Sequence, residues 1–203
     1  MFVKLEGRNV LVVGAGTVGE PKIRGLLDTG AKIRVVALEA SEQVHAWAHA
    51  GAIVLEGRAF TPSDLDGAFL AVVATSRREV NEQVFREAQR RGVLCNVVDV
   101  PAQCDFFYPA VVRRGDLQIA ISTSGQSPSL AQKLRQQLEQ QYGPGYANWV
   151  KELGETRRRV LASHLDAESK KSLLHSLASR EAFEALVNAN GNGKSAPNGK
   201  EHE

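Results

Sequence analysis

Three glycines lie at the spacing that a dinucleotide phosphate requires. Gly14, Gly16 and Gly19 form G-x-G-x-x-G within the stretch VVGAGTVGEPK. In such a turn the first glycine permits a tight bend, the second lets the backbone approach a pyrophosphate, and the third lets the next helix pack closely on its strand. Free N–H groups at the start of that helix then face the anion. The three glycines therefore predict a binding site for the pyrophosphate of a dinucleotide.

An acidic residue follows the second apolar segment of the chain. Glu39 comes directly after KIRVVAL, at about the 20-residue separation expected for the group that binds the adenosine ribose hydroxyls. A carboxylate there would repel a 2′-phosphate, so the predicted cofactor is NAD rather than NADP. The alternative is that Glu39 is a charge at the N-terminus of the next helix, which should start near Ser41.

Polar residues also follow two later apolar runs. Thr75 and Ser76 come after the fourth run, and Asp99 ends the fifth, in CNVVDVP. Ligands of open α/β sheets bind beyond the carboxyl ends of the strands, so these side chains are candidates for the cofactor crevice. Thr75 or Ser76 could equally cap a helix, and Asp99 could either act as a base or cap a turn before Pro101.

A parallel sheet would bring these residues together. Five short apolar runs, NVLVV, KIRVVAL, AIVLEG, AFLAVVAT and VLCNVVDV, alternate with helical patterns at 17–29 and 78–91. Runs that are apolar on both faces are typical of strands covered by helices on each side. We therefore predict an α/β, Rossmann-like NAD-binding domain over 1–101. Pro21 falls near the first turn of the first helix, where it is tolerated or shifts the start slightly later.

The pattern changes after Pro101. PAVVRRGDLQIAIST predicts a β-hairpin that turns at Arg114-Gly115-Asp116,. A single hairpin is marginally stable, so it must pair with the main sheet, with other strands or with a second copy of the chain. We assign 102–127 to this hairpin segment, 128–187 to a helical domain and 188–203 to a disordered tail.

The helical domain should begin with a strong N-terminal signal. Ser127 suits the N-cap, Pro128 suits the first helical position, and Leu130, Leu134 and Leu138 form one apolar stripe,. A GPG sequence at 143–145 then interrupts the helix.

Composition is ordinary for a globular protein. The 203 residues are 43% hydrophobic and 24% charged, with a net charge of +2. Nearly balanced charge gives no reason to expect nucleic acid, and no apolar run approaches the roughly 20 residues needed to span a membrane. The N-terminal MFVKLEGRN has no apolar signal core, so the expected location is cytoplasmic.

Neither the cysteines nor the histidines predict a metal site. Cys95 and Cys104 form no C-x-x-C motif, and we expect two reduced thiols, with Cys95 in a buried strand,. His45 and His49 would share a helix face, but they lack the glutamate of H-E-x-x-H,. A surface helix is therefore the better interpretation of HAWAH, and no metal ligands are predicted.

Three further motifs carry a family resemblance. CNVVD, F-x-x-P-A-x-x-x-R-G-D-L and ISTSG-x-SP resemble the precorrin-2 dehydrogenase family, which includes the N-terminal part of sirohaem synthase and bifunctional dehydrogenase–ferrochelatases. The resemblance covers roughly residues 2–160. It implies NAD-dependent oxidation of precorrin-2 to sirohydrochlorin, towards sirohaem or cobalamin, by a homodimer whose parts beyond Pro101 interlock.

The resemblance also implies roles for individual residues. Asp99 matches the aspartate credited with catalysis, and also with metal insertion in bifunctional members. Four residues carry over as cofactor contacts: Thr17, Val18, Leu38 and Glu39. The chain departs from the family pattern at Gly19-Glu20-Pro21-Lys22 and at Ser76-Arg77-Arg78, and the second departure adds positive charge near the crevice.

A tetrapyrrole edged with carboxylates needs cations and polar donors. Ser124 and Gly125 precede a helix N-terminus, and Arg113 lies in the predicted hairpin, so these three are the predicted substrate contacts. Arg114, Lys133 and Arg135 are also available, although each could simply be solvated.

Three alternatives stay open. The first is a bifunctional enzyme that also inserts Fe²⁺ or Co²⁺ into sirohydrochlorin, since a chelatase needs only a base for the pyrrole protons. The second is a regulatory domain that senses NAD without chemistry. The third is an interaction protein whose functional surface lies in the C-terminal helices.

Overall fold

The chain divides into two units, Met1–Tyr108 and Pro109–Glu203. The structure is a computed structural model that describes residues 2–191. The first unit alternates strands with helices in the order β1 (Asn9–Ala15), α1 (Gly19–Leu27), β2 (Lys32–Ala40), α2 (Glu42–His49), β3 (Val54–Glu56), β4 (Leu70–Val73), α3 (Arg78–Arg91) and β5 (Leu94–Val97). Two short 3₁₀ turns, Pro62–Leu65 and Pro101–Gln103, lie before β4 and after β5.

The strands of the first unit form one parallel sheet in the order β3-β2-β1-β4-β5. Val12 in β1 is in register with Val35 of β2 on one side and with Val72 of β4 on the other. The predicted Rossmann-like sheet is therefore confirmed, with the five apolar runs as its five strands.

Both faces of the sheet are buried. Val10 and Val12 of β1 point to one face and pack in a cluster with Ile23 of α1, while Leu11 and Val13 point to the other face. The second cluster contains the apolar residues of α3. Each fully buried side chain of this kind stabilises the fold by about 1.5–3 kcal/mol relative to its exposed state. Because both faces of the sheet are buried, the strands do not alternate apolar with polar residues.

The first helix starts later than the predicted residue 17. Its N-cap is Val18, and Pro21 is the third helical residue. The N–H of Glu20 donates to Gly16 O at 2.9 Å, but Pro21 has no N–H to donate to Thr17 O, so the continuous helical hydrogen bonds begin later,. Proline is tolerated because a first-turn N–H has no intrahelical partner. The next helix begins as expected, since Ser41 Oγ accepts a hydrogen bond from Val44 N.

The second unit contains a hairpin and four helices. β6 (Ala110–Arg114) pairs antiparallel with β7 (Leu117–Ile121), and Gly115 turns with a φ of 57°. The predicted hairpin and its turn are confirmed. The helices are α4 (Pro128–Gln141), α5 (Gly145–Ala162), α6 (Ala167–Leu177) and α7 (Arg180–Gly191). The N-cap of α4 is Ser127, as predicted.

The predicted domain boundaries stay a prediction. Residues just beyond 101 bond to β5: Cys95 N–H donates to Asp105 Oδ2 at 2.8 Å, and Asn96 Nδ2 donates to Phe106 O at 2.7 Å. Helix α7 continues through Gly191, and the rest of the predicted tail, 192–203, lies outside the described residues. Within the part that is described, no helix combines the length and apolar character needed to cross a membrane.

Both cysteines are free thiols, as predicted. Cys95 is completely buried in β5. Burial raises the pKa of the Cys95 thiol to about 12, so this thiol stays protonated and acts as a small apolar side chain.

Candidate functional site

The glycine turn lies at the point where the strand order reverses. From β1 the chain builds β2 and β3 on one side and then crosses to β4 and β5 on the other. Ligands of open α/β sheets bind at this switch point, beyond the carboxyl ends of the strands. A cavity of about 490 Å³ lies there, and we call it the strand-end cleft. It is lined by nine predicted site residues: Gly14, Gly16, Thr17, Val18, Leu38, Glu39, Thr75, Ser76 and Asp99.

The three glycines of the turn fit a dinucleotide in different ways. A Cβ on Gly14 would lie 2.4 Å from Ala74 O, and one on Gly19 would lie 2.2 Å from Gly14 O. These two glycines therefore allow β1, α1 and the end of β4 to pack. A Cβ on Gly16 would meet no atom within 4 Å, so the backbone there is open to close approach by a ligand. This is the arrangement that a pyrophosphate needs.

The start of α1 leaves backbone donors for an anion. Its N-cap, Val18, makes no side-chain capping bond. The Glu20 N–H already donates to Gly16 O and Pro21 has no N–H, so the donors left for an anion are those ahead of Glu20. Together with the helix dipole, these groups favour a phosphate.

A side-chain contact connects the first turn of α1 to the start of α2. Glu20 accepts hydrogen bonds from Ser41 Oγ and from Arg24, each at 2.8 Å. The bond from Ser41, followed by that from Arg24, lowers the pKa of Glu20. Since Ser41 N–H also donates to Ala15 O at 3.1 Å, the end of β2 is held beside the glycine turn.

Glu39 lies within β2 and not in a helix. It is exposed and lines the strand-end cleft, while the acid in the first turn of α2 is Glu42. The helix-charge alternative is therefore wrong for Glu39. Leu38 beside it is 65% exposed and Val18 is 46% exposed, so the cleft presents apolar side chains that a base or ribose could cover.

Thr75 joins β4 to α3 without being its N-cap. Its hydroxyl donates to Asn81 Oδ1 at 2.6 Å, and Asn81 Nδ2 donates back to Thr75 O at 3.0 Å. The N-cap of α3 is Arg77, which makes no side-chain capping bond. The predicted capping by Thr75 or Ser76 is therefore wrong, because the helix starts later than expected. Both residues remain in the cleft lining.

Asp99 lies in the turn after β5. The strand ends at Val97, two residues earlier than the predicted strand end, and Asp99 has a φ of 63°. The following 3₁₀ turn has Val100 as its N-cap, with no side-chain capping bond. The turn-capping alternative is therefore wrong. Within residues 2–185 the Asp99 carboxylate has no hydrogen-bond partner, and the residue lines the strand-end cleft.

The predicted substrate contacts lie in the second unit. Ser124 and Gly125 have φ values of 52° and 79°, and Gln126 N–H donates to Thr123 O at 2.9 Å, so the two form the centre of a tight turn before α4. Arg113 is exposed on β6. Their contact with substrate stays a prediction.

Two of the other available cations are engaged within the second unit. Arg114 donates to Tyr142 O at 2.8 Å and to Glu139 O at 3.0 Å, so it satisfies carbonyls at the end of α4. Arg135 pairs with Glu139. Lys133 is exposed.

Two arginines in the cleft lining were not predicted to be site residues: Arg58 and Arg77. Arg58 follows β3, so the rule that identified Thr75 and Asp99 could have identified it. Its guanidinium donates to Asp64 Oδ1 at 2.6 Å and to Asp64 Oδ2 at 2.8 Å. Asp64 is 1% exposed, and it anchors Arg58 at the wall of the cleft.

Across residues 2–191, no three His, Cys, Asp or Glu side chains come together as a possible metal-binding group. His45 and His49 lie in α2 on the exposed surface.

Fold and cleft together define a Rossmann-type dinucleotide-binding protein. A family model described as NAD(P)-binding matches residues 1–110, and one described as sirohaem biosynthesis protein central matches residues 114–141. The solved structure of SirC, precorrin-2 dehydrogenase, is similar with a TM-score of 0.79 and 30% sequence identity, covering 92% of each chain. The chain belongs to the precorrin-2 dehydrogenase family, which confirms the resemblance carried by CNVVD and ISTSG-x-SP.

Curated relatives agree with this assignment. Siroheme synthase 1 of Aeromonas hydrophila is 39% identical over 162 residues, which cover 80% of this chain and 35% of the relative. Siroheme synthase 2 of Klebsiella pneumoniae is 43% identical over 139 residues, which cover 68% of this chain and 30% of the relative. The chain thus spans about a third of the length of these relatives. The predicted cofactor, NAD, is confirmed at the level of the family, whose model describes NAD(P) binding.

Proposed function

We propose that the chain is an oxidoreductase that uses NAD to convert precorrin-2 to sirohydrochlorin, in sirohaem or cobalamin biosynthesis. One observation carries the proposal: the Asp99 carboxylate, without a hydrogen-bond partner within residues 2–185, lines the same cleft as the glycine turn. A base beside a dinucleotide site is what a dehydrogenation requires. Membership of the precorrin-2 dehydrogenase family supplies the substrate class.

The residues of the cleft divide the work of the reaction. Precorrin-2 loses two hydrogens, and NAD, when bound, supplies the acceptor for one of them together with two electrons. The other leaves as a proton, which a carboxylate oxygen of Asp99 accepts. The N-terminus of α1 binds the pyrophosphate, and the Glu39 carboxylate binds the adenosine ribose hydroxyls and disfavours a 2′-phosphate.

The tetrapyrrole is held by its carboxylate arms in this proposal. Arg113 offers a charged donor, and the turn at Ser124 and Gly125 offers backbone N–H groups ahead of the N-terminus of α4. Charge-assisted hydrogen bonds to carboxylates are about twice as strong as neutral ones. All three residues are exposed, which suits contact with a large, flat ligand.

The test is NADH formation from anaerobic precorrin-2 by the wild type and by two variants. Asp99→Asn keeps a residue that tolerates the left-handed backbone, and Asp99→Ala removes the polar group. We expect both to lower turnover by about 100-fold or more, with the Kd for NAD unchanged because Asp99 does not bind the dinucleotide. Asp28→Asn, at the exposed far end of α1, is the matched control and should behave as wild type.

One result would contradict the proposed reaction, and another would contradict the role of Asp99 in it. An inactive wild type that still binds NAD would favour the NAD-sensing alternative over an enzyme. Full activity in Asp99→Asn would remove Asp99 from the mechanism while leaving the reaction intact.

Metal insertion stays a prediction. Asp99 could also take pyrrole protons while Fe²⁺ or Co²⁺ enters sirohydrochlorin, and the same Asp99 variants, assayed with sirohydrochlorin and each metal ion, would test this.

The third alternative, an interaction protein that acts through its C-terminal helices, also stays a prediction. So does the cytoplasmic location.

We further propose that the chain is a homodimer. Leu130 and Leu134 of α4 are 48% and 36% exposed, although they belong to the apolar stripe of that helix. The second unit also has a sheet of two strands in the part that the structure describes. A second copy of the chain would cover the leucines and add strands to the hairpin.

A further inference from the structure

Four charged residues line the strand-end cleft: Glu39, Arg58, Arg77 and Asp99. The two carboxylates already have roles in the proposed function. Arg58 is engaged, since its guanidinium pairs with Asp64 and Glu56. Arg77 is exposed, and among the side chains of residues 2–185 its guanidinium makes no hydrogen bond and no ion pair. Arg77 is therefore the cleft cation that remains available for a ligand among the described residues.

The strand order gives Arg77 a defined place in the cleft. Glu39 belongs to β2, the glycine turn follows β1, Arg77 follows β4, and Asp99 follows β5. Because the sheet order is β2-β1-β4-β5 in this region, Arg77 lies between the glycine turn and Asp99. A dinucleotide that extends from Glu39 across the turn would thus bring its reactive end, and the substrate, towards Arg77.

The position of Arg77 is unfavourable for the helix alone. Arg77 is the N-cap of α3 and makes no side-chain capping bond, whereas Ser, Thr, Asp and Asn are the stabilising residues there. Its positive charge also opposes the helix dipole. The next residue, Arg78, is compensated by Glu82 at 2.9 Å. A bound anion would offset both costs at Arg77.

The backbone of Arg77 is nevertheless fixed. Its N–H donates to Thr75 Oγ1 at 3.2 Å, and the same hydroxyl bonds to Asn81 of α3 at 2.6 Å. The side chain therefore extends from a held backbone, which lowers the entropy lost when it binds a ligand.

We propose that Arg77 binds an oxyanion in the strand-end cleft, either a carboxylate of the tetrapyrrole or the pyrophosphate of the dinucleotide. This inference rests on the proposed function. The planar guanidinium matches both groups, because each offers two oxygens to its fork of N–H donors. Arg77 is then a specificity-determining residue for anionic ligands, and Asp99 keeps the chemical step.

Two binding titrations test the proposal without requiring turnover. The Kd values for NAD and for sirohydrochlorin are measured by isothermal titration calorimetry for wild type, Arg77→Gln, Arg77→Lys and Arg78→Gln. We expect Arg77→Gln to raise one of the two Kd values about tenfold, the loss typical of a charge-assisted hydrogen bond. Arg77→Lys should recover part of the affinity, and the Glu82-paired control Arg78→Gln should match wild type.

The pattern of loss identifies the source of the oxyanion. A higher Kd for sirohydrochlorin in Arg77→Gln would identify a tetrapyrrole carboxylate as the oxyanion. A higher Kd for NAD in Arg77→Gln, with the affinity for adenosine unchanged, would identify the pyrophosphate as the oxyanion. If Arg77→Gln matches wild type in both titrations, the proposal is overturned.

Thermal unfolding separates binding from a structural role. Removing a charge that opposes the helix dipole should leave the Tm of Arg77→Gln unchanged or slightly raised. A drop of more than about 3 °C, roughly 1 kcal/mol for a chain of this size, would assign a structural role and overturn the proposal. Failure of the proposed function is a distinct result, since it is an inactive wild type whatever the state of Arg77.

Discussion

Two residues other than glycine have positive φ among those described, Asp99 at 63° and Ser124 at 52°. Such a conformation costs an L residue about 1 kcal/mol or more, and strain of this kind is concentrated at functional sites. Both residues were predicted from the sequence as site residues, one as the base and one as a substrate contact. Their backbone geometry supports the proposed roles of Asp99 as the base and of Ser124 as a substrate contact, and substitution of each residue tests those roles.

The glycines of the phosphate turn have separable roles, one in packing and one in binding. Gly14→Ala would place a Cβ 2.4 Å from Ala74 O at a φ of 98°, so we expect the free energy of unfolding to fall by about 2–4 kcal/mol. Gly16→Ala would meet no atom within 4 Å, so stability should change little, while the Kd for NAD should rise about tenfold or more. Urea denaturation and NAD titration measure the two effects.

Gly57→Ala is the control for both measurements, because its Cβ would also meet no atom within 4 Å and Gly57 lies outside the cleft lining. Wild-type stability in Gly14→Ala would show that β1 and the end of β4 pack less closely than described. Wild-type NAD affinity in Gly16→Ala would show that no ligand approaches that backbone.

An ion network connects several elements behind the cleft. The buried Asp64, in the 3₁₀ turn before β4, pairs with Arg34 of β2 and with Arg58 after β3. Glu56 of β3 pairs with the same two arginines. The N–H of Thr61 also donates to Asp64 Oδ2 at 2.8 Å. Because a buried carboxylate is costly unless it is paired, this network fixes Arg58 and the turn together.

The network predicts a specific dependence of stability on pH. The hydrogen bonds from Arg58, the largest cause, lower the pKa of Asp64 from its ordinary value of 3.8 to about 2. A lowered folded-state pKa stabilises the fold above the unfolded value and loses that contribution as the pH falls through the folded value. We therefore expect about 2 kcal/mol of stability to disappear between about pH 4 and pH 2.

Asp64→Asn should remove that acid-dependent loss and lower stability at neutral pH by about 2 kcal/mol or more, since both arginines lose a charged partner. Urea denaturation at a series of pH values measures both effects. Asp66→Asn is the control, because Asp66 is exposed and its pair with Arg91 should contribute less than about 1 kcal/mol. An acid dependence in Asp64→Asn equal to that of wild type would contradict the assignment.

Two leucines of α4 in the second unit are exposed. Ala131 of α4 is buried, whereas Leu130 and Leu134 on the same helix are exposed. The hairpin strand β6 and helix α5 also belong to this unit, and Arg114 of β6 bonds to the last carbonyls of α4. The face with the two leucines therefore remains uncovered among the described residues, which supports the homodimer.

Charge on that face should separate the two copies. Leu134→Glu would bury a carboxylate against an apolar partner surface, at a cost of several kcal/mol, so we expect the molar mass in light scattering to fall from dimer to monomer. Gln136→Glu introduces the same charge at an exposed position two residues further along α4 and should leave the dimer intact. A monomeric wild type, or a dimeric Leu134→Glu, would contradict the proposed interface.

Local patterns in the chain were sufficient to predict the sheet, the hairpin and the phosphate turn. Apolar runs, helical periodicity and glycine spacing depend on neighbouring residues, so they are readable without the fold. Ends of elements were less predictable. Helix α1 starts at Gly19 because Pro21 has no N–H to donate to Thr17 O one turn back,. Strand β5 stops at Val97, before the turn that holds Asp99. Such ends depend on individual hydrogen bonds and left-handed residues.

Which side chains share one cleft depended on the assembled sheet. The order β3-β2-β1-β4-β5 brings Arg58 and Arg77 to the same edge as Gly16, although long stretches of chain separate them. The residues next to each arginine in the sequence also did not determine whether its guanidinium forms an ion pair. Arg58 pairs with Asp64 of the following turn, whereas Arg77 has no such partner among the described residues. The chain's local chemistry thus determined that a dinucleotide site forms, whereas strand order and long-range pairing determined which charges face it.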